Sequence, residues 1–294
     1  MPALRIVASR HSAFYSPLIA AVAGGFLEQE GLEACYLGVP SHGNVVRSLV
    51  AREAHVAQSA VSASWPFLEQ GIAPAVVHFA QINQRDGFFI AARRPDPAFS
   101  WHALLDGRLM FVHGAQPQAM LRYALRREGV DLAHIQAIDA GATGSMMAAF
   151  RRGDGDFFHE QGPYPQQLEH EGLAHVVASV GEAVGPVAFS SLAARPEWLG
   201  SRDAKRFMRG YAKSRQWVQQ APAADVAQRL LPLFPEVAPA ALARSIEYYQ
   251  RLRCWDGGLA IEPEHYEVAL DVFLHSRLIT RRHPYAAVVA AADA

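Results

Sequence analysis

The sequence predicts an α/β protein of two lobes with a helical C-terminal region, on three observations. Strand-like and helix-like patterns alternate from the first residues, as in a βα-repeating unit. After a proline-broken connection at residues 94–100, a second βαβαβ run repeats the plan without repeating the sequence. From Pro196 onward the pattern is almost wholly helical. The length of 294 residues accommodates two domains at about 150 residues each. Hydrophobic residues make up 51% and charged residues 19%, so a full core forms and wholesale disorder is excluded.

Residues 4–9 alternate like a strand. Ser16-Pro17 reads as an N-cap with proline in the first turn, so residues 17–30 read as a helix that Gly31 stops. A strand at 32–39, a helix at 44–53, a strand at 55–59, a helix at 62–70 and a strand at 74–83 complete the first unit. Residues 87–93 read as a further strand. The second unit follows as strand 108–113, helix 116–128, strand 135–140, helix 143–152, strand 156–159, helix 163–171 and strand 175–180. Residues 185–192 read as a strand leaving that unit. Such alternation implies mostly parallel sheets with helices on both faces. The stretch after Leu192 has too few strands for a third domain and is expected to return to the first lobe. The expected lobes are therefore residues 1–84 with 190–294, and residues 85–189. The alanine-rich tail, 286–294, is expected to fray.

Composition removes several function classes. The net charge of −1 provides no global field for a nucleic-acid backbone. No apolar stretch is long enough to insert in a membrane. Lys205 and Lys213 are the only lysines among 27 basic residues, which excludes most lysine chemistry. Cys35 and Cys254 form no CxxC or zinc spacing, and Cys35, inside a strand pattern, reads as an inert buried thiol. His159-Glu160 is followed by Pro163 where a zincin needs its second histidine. Neither a metal nor a cofactor is expected. The apolar run at 17–27 behind Arg5 and Arg10 has features of a secretion signal, yet it reads better as the fold's own helix. Taken from Met1, the chain is expected in the cytoplasm; had a leader been removed, it would belong to the periplasm.

In such sheets ligands sit beyond the carboxyl ends of the strands. Five loops qualify: 10–15, 40–44, 58–62, 113–116 and 157–163. They supply the candidate ligand contacts Arg10, His11, Phe14, Tyr15, His42, Gly43, Asn44, Ser59, His113, Gln116, His159 and Glu160, with Asn83 at a strand end and Trp65 on the next helix. Gly43, Gly114 and Gly162 each precede a helix, where free N–H groups suit an anion or a carbonyl, or where glycine simply caps. Phe14, Tyr15 and Trp65 offer flat faces for stacking or for packing. Glu160, at the end of an apolar strand, needs a partner.

The stretch Tyr15-Ser-Pro-Leu-Ile-Ala-Ala-Val-Ala-Gly-Gly-Phe-Leu-Glu-Gln-Glu-Gly-Leu32 resembles the opening of the NMT1/THI5-like family, which groups solute-binding proteins of ABC importers with thiamine-pyrimidine synthases. Segments 46–57, 105–112 and 146–156 are similar to that family in the same order. The resemblance covers roughly residues 4–200 and, more weakly, 255–279. It implies the type II periplasmic-binding-protein fold, two lobes around a cleft, with hinge strands near 80–89 and 185–191. It also implies that Glu160 stands where the pyrimidine-binding branch contacts a ligand amino group. The iron-binding cysteines and pyridoxal lysine of the synthases have no counterpart here. Two functions stay open on this fold. One is a solute-binding protein closing on a small planar or anionic ligand (an aminopyrimidine, a sulfonate or an aromatic acid), with an ABC permease as the implied partner. The other is a cofactor-free lyase, decarboxylase or dehydratase using His11, His42, His113, His159 or Glu160 as acid or base.

Overall fold

A computed structural model describes residues 3–290. Two five-stranded sheets form the two lobes. The strands are β1 (Leu4–Ala8), β2 (Ala34–Tyr36), β3 (Val56–Ser59), β4 (Val77–Asn83), β5 (Phe88–Ala92), β6 (Arg108–Phe111), β7 (Gln136–Ile138), β8 (Phe157–Gln161), β9 (His175–Ser179) and β10 (Ser190–Ala194). The sheet orders are β2-β1-β3-β10-β4 and β7-β6-β8-β5-β9.

The expectation of mostly parallel sheets needs a correction. β1 pairs parallel with β2 and β3, and β6 parallel with β7 and β8. β10 pairs antiparallel with β3 and β4, and β5 antiparallel with β8 and β9. Half the ladders are therefore antiparallel. The cause is the double crossover: each sheet admits, second from one edge, a strand that arrives from the other lobe and points the opposite way.

The helices are α1 (Ser16–Ala23), α2 (Val45–Val50), α3 (Trp65–Glu69), α4 (Ala115–Arg127), α5 (Thr143–Arg151), α6 (Tyr164–His170), α7 (Val180–Val184), α8 (Pro196–Leu199), α9 (Arg202–Gln220), α10 (Ala223–Leu230), α11 (Pro239–Arg251) and α12 (Pro263–His275). α1 starts at Ser16, so Tyr15 and not Ser16 stands at its N-cap, with Pro17 in the first turn as expected; it ends at Gly24, well before Gly31, and residues 28–30 form a separate 3₁₀ turn. The strand expected at 185–192 begins only at Ser190, because the Val187, Ala188 and Phe189 amides donate to Gln84 O, His265 O and Val187 O rather than to a neighbouring strand; before them residues 180–184 form α7, capped by the Ser179 hydroxyl accepting from the Glu182 amide. The tail also departs from expectation. His78 donates its backbone N–H to Val288 O, and Ala290 donates to His78 O, so residues 288–290 dock on β4. Residues 291–294 lie outside the described residues.

The C-terminal helices hold both lobes. On the first, α9 packs along α1; Tyr211 donates to Gln81 O at 3.0 Å and Ser214 to Pro17 O at 2.7 Å. α11 reaches the second lobe as well, packing on α6. Its Tyr249 hydroxyl accepts from Gly162 N at 2.7 Å and donates to Gly87 O at 2.9 Å. Around Tyr249, Phe14, Phe89 and Trp255 gather at centroid distances of 4.9, 5.4 and 5.7 Å. One apolar core thus runs through the junction of the lobes.

Candidate ligand-binding site

The carboxyl ends of β1 and β8 meet from opposite lobes. Ser9, just past β1, donates both its backbone N–H (2.9 Å) and its hydroxyl (2.8 Å) to Gln58 Oε1 on β3. Gln58 Nε2 donates onward to the Ser190 hydroxyl at 2.7 Å, which donates to Ser59 O at 2.8 Å. This chain of bonds stiffens the loop that carries Arg10. The Arg10 guanidinium lies 5.4 Å above the Phe88 ring and pairs with the Glu160 carboxylate across the lobes. Glu160 is fully buried and accepts two further bonds, from Thr143 Oγ1 and Gln161 N, each at 2.7 Å. A buried carboxylate with a counter-charge and two donors is the compensated arrangement that burial demands.

Beside this pair, Ser12 Oγ donates to Gly162 O at 2.6 Å and Gln161 Nε2 donates to the Tyr15 hydroxyl at 3.4 Å, both between lobes. At the other end, the Ser62 hydroxyl donates to Gln116 Oε1 at 3.0 Å, and Gln116 Nε2 to Phe189 O at 2.8 Å. The lobes are closed on each other through polar side chains.

Several buried atoms at this seam have no hydrogen-bond partner among the described residues: both His159 ring nitrogens, Asn83 Oδ1, Asp86 Oδ2 and Gln161 Oε1. Each is costly unless something else satisfies it. Burial, aided by the Arg10 charge, pushes the His159 pKa down to about 3, so its ring is neutral. The ring stacks on Phe88 at 4.6 Å. Burial raises the Asp86 carboxyl to about 8, opposed by a bond from Phe88 N and by Arg10. Burial also raises the Tyr15 phenol, which feels both Arg10 and Asp86. The site is thus a neutralised ion pair beside a buried, under-bonded set of polar side chains.

Sequence reasoning brings Arg10, Tyr15, Asn83, His159 and Glu160 to one place, with Ser59 and Gln116 at its margin. The rest need correction. Phe14 and Trp65 are fully buried packing residues and offer no free face. Phe14 lies within the junction core, and Trp65 packs edge-on against Phe273 at 4.7 Å while donating to the Tyr266 hydroxyl. His11 stacks on Phe234 at 4.3 Å and bonds Tyr36 and Leu233 O; its pKa is lowered by burial. His42 faces Glu53 at 3.3 Å, and Asn44 caps α2 by accepting from Arg47 N. His113 stacks on Phe111 at 4.0 Å, 3.8 Å from Asp139. The glycine amides are not free. Gly43 N donates to Pro40 O, Gly114 N to Gln118 Oε1 and Gly162 N to Tyr249. Cys35 is half-buried rather than enclosed.

Sequence reasoning missed Ser12, Gln58, Asp86, Phe88, Thr143, Gln161 and Tyr249. Asp86-Gly87 between two strand patterns was a usable signal for a crossover carboxylate. Tyr249 carried none. A hollow of about 720 Å³, lined by Arg122, Arg126, Asp131, His275 and Arg277, lies away from this seam. Among the described residues no cluster of three or more His, Cys, Asp or Glu side chains is placed to hold a metal ion, and no helix is long and apolar enough to cross a membrane.

The family model described as the NMT1-like family matches residues 12–231, three quarters of the chain. The chain belongs to the NMT1-like family. A curated relative, YtlA of Bacillus subtilis (strain 168), provisionally named a binding protein, is 26% identical over 289 residues, covering 96% of this chain and 86% of the relative. Among solved structures, the alkanesulfonate-binding protein SsuA of Xanthomonas axonopodis pv. citri superposes with a TM-score of 0.75 at 17% identity, covering 99% of both chains. The periplasmic aliphatic sulphonate binding protein SsuA of Escherichia coli superposes with a TM-score of 0.74 at 15% identity, covering 100% of this chain and 93% of its own. At such identities these likenesses establish the fold: this NMT1-like protein has the two-lobed periplasmic-binding-protein architecture.

Proposed function

We propose that this NMT1-like protein is a solute-binding protein of the ABC-importer type, whose lobes, residues 1–84 with 190–294 and residues 85–189, close on one small molecule. The observation that carries the reading is the seam itself. Arg10–Glu160, Ser12–Gly162 and Tyr15–Gln161 join the lobes beside buried polar atoms that lack partners. A ligand placed there completes those bonds and links the two lobes. Arg10, Tyr15, Asn83, His159 and Glu160 are its proposed contacts. The binding roles in the names of YtlA and the two SsuA proteins support the same reading. The reading carries with it an ABC permease as partner and a place on the outer side of the membrane. The enzymatic alternative has less support, because the names of YtlA and the SsuA proteins describe binding.

Native mass spectrometry of freshly purified protein tests the proposal. One small molecule retained per chain, and recovered unchanged after denaturation, is expected. An empty protein whose melting temperature moves with no sulfonate, amino acid, aminopyrimidine or aromatic acid would overturn it. Conversion of the retained molecule on incubation would favour the enzyme.

A further inference from the structure

We propose that the hollow of about 720 Å³ between the ends of α4 and α12 is a second binding site, separate from the seam, for a diphosphate-type polyanion that ties the two helices together. It is independent of any ligand at the seam. α4 connects two strands of the second sheet, α12 follows β10 of the first, and the two helices pack on each other. Arg122 and Arg126, one turn apart on α4, line the hollow with His275, Ser276 and Arg277 at the end of α12. Among the described residues none of these three arginines joins an ion pair. Arg126 Nη1 instead meets His275 Nδ1 at 3.3 Å. The acidic residue of the lining, Asp131, accepts from Ala133 N at 2.9 Å and so caps the turn at residues 132–134. Three arginines against that one carboxylate leave the lining positive. Burial, with Arg126 and Arg122 beside it and Asp131 opposing, holds the His275 pKa below its usual value, so the ring is neutral and accepts from Arg126.

A basic residue near a helix end ordinarily answers the partial negative charge of the last carbonyls. Here the carbonyls are already taken. At the end of α4, Gly129 (φ 77°) turns the chain so that Gly129 N donates to Arg126 O and Val130 N to Leu125 O. At the end of α12, Arg277 (φ 56°) does the same, with Arg277 N donating to Leu274 O and Leu278 N to Phe273 O. Arg52 and Arg253 hold the same left-handed position after α2 and α11, and each pairs with a carboxylate, Glu197 and Asp256. Arg127, next to Arg126, is engaged by Val184 O. The arginines of the hollow are the ones left over. Between His275 and Arg277, the enclosed Ser276 Oγ also lacks a partner among the described residues, a hydroxyl with a proton to give.

Guanidiniums bind phosphoryl oxygens in bidentate fashion. A volume of about 720 Å³ exceeds what one phosphate fills and lies in the range of small-molecule sites. Two linked phosphoryl groups bring enough charge and enough oxygens to engage Arg122 and Arg126 on one side and Ser276 and Arg277 on the other.

Isothermal titration at fixed ionic strength with pyrophosphate, ADP and inorganic phosphate tests this on the wild type, Arg126→Met, Arg277→Met and, as a control, Arg94→Met on the connection between β5 and β6. One pyrophosphate per chain is expected on the wild type, held at least about tenfold more tightly than phosphate. Arg126→Met and Arg277→Met are each expected to lose at least about tenfold in that affinity, and Arg94→Met none. ADP binding as tightly as pyrophosphate supports an esterified diphosphate as the occupant, and markedly weaker ADP supports the free one. Wild-type affinity in either hollow variant, an equal loss in Arg94→Met, or no preference for pyrophosphate over phosphate overturns the proposal. Hydrogen exchange on the wild type is the second measurement, independent of whether the variants fold. Pyrophosphate is expected to slow exchange at the Val130 and Leu278 amides; slowing at Gln161 and Gly162 instead places the anion in the seam and overturns the proposal, leaving the binding reading standing.

Discussion

Glu160 could be singled out in the sequence because a carboxylate at the end of an apolar strand cannot stay uncompensated. Arg10 was also legible, as a member of the first loop. Their pairing was not, since 150 residues separate them and only the meeting of two strand ends joins them. The glycines before helices were equally visible, and the partners of Gly43 and Gly114 are local, but the Tyr249 hydroxyl that occupies the Gly162 amide lies 87 residues away, where no local pattern links it. Burial also inverts the charge logic of three residues. The unfolded Asp86 carboxyl loses its proton near pH 4 and the folded one only near 8. Between those values the folded state binds more protons, so Asp86 makes stability fall as pH rises. His78 and His159, both pushed down to about 3, act oppositely. Below about pH 6.5 the unfolded state binds protons they refuse, so stability falls on acidification. These groups together place the maximum near pH 6.5, with Asp86 contributing a slope of up to about 1.4 kcal/mol per pH unit. Urea unfolding of Asp86→Asn between pH 6.5 and 8 is expected to lose that decline; an unchanged slope would mean Asp86 ionises normally. Phe14→Ala, a truncation in the junction core, is expected to cost about 3–5 kcal/mol by the same assay. A cost below about 1 kcal/mol would fit a face left open for ligand instead.

Helices and strands were read well where they are long and periodic. α4, α5 and the strands β4, β5 and β9 lie within a few residues of their expected places, and α9 falls in the region expected to be helical. Short elements were found where a sequence pattern marked them, as with β2, β7 and α3, but α7 was not. α7 has five residues, too few for a helical period, although Ser179-Val-Gly-Glu182 carries the Ser-x-x-Glu spelling of a helix start. β5 and β10 read correctly as strands, yet their direction within the sheets is a property of the crossovers and leaves no local mark. α11 was legible as a helix but not as the element touching both lobes. Its role turns on one hydroxyl. Tyr249→Phe leaves Gly162 N and Gly87 O without that partner in a buried place. The expected loss is about 1–3 kcal/mol in urea unfolding, with faster hydrogen exchange at the Gly162 amide. Unaltered exchange there would show that α11 does not brace the second lobe.

The whole molecule works as two sheets of like plan, each threaded by a strand from the other, so that their carboxyl ends face across one seam. That arrangement makes closure a matter of a few side chains. Arg10→Met removes the interlobe ion pair and leaves Glu160 with Thr143 and Gln161 alone. The population is expected to shift toward an open form, read as a larger radius of gyration in solution scattering; an unchanged radius would locate closure in the apolar junction. The central claim is that a small molecule sits between β1 and β8. A crystal structure of freshly purified protein with its retained molecule tests it most directly. The account predicts density bounded by Arg10, Tyr15, His159 and Glu160, bonded to at least one of Asn83 Oδ1, Asp86 Oδ2 and Gln161 Oε1. Density in the hollow between Arg122 and Arg277, with the seam unchanged, would contradict it.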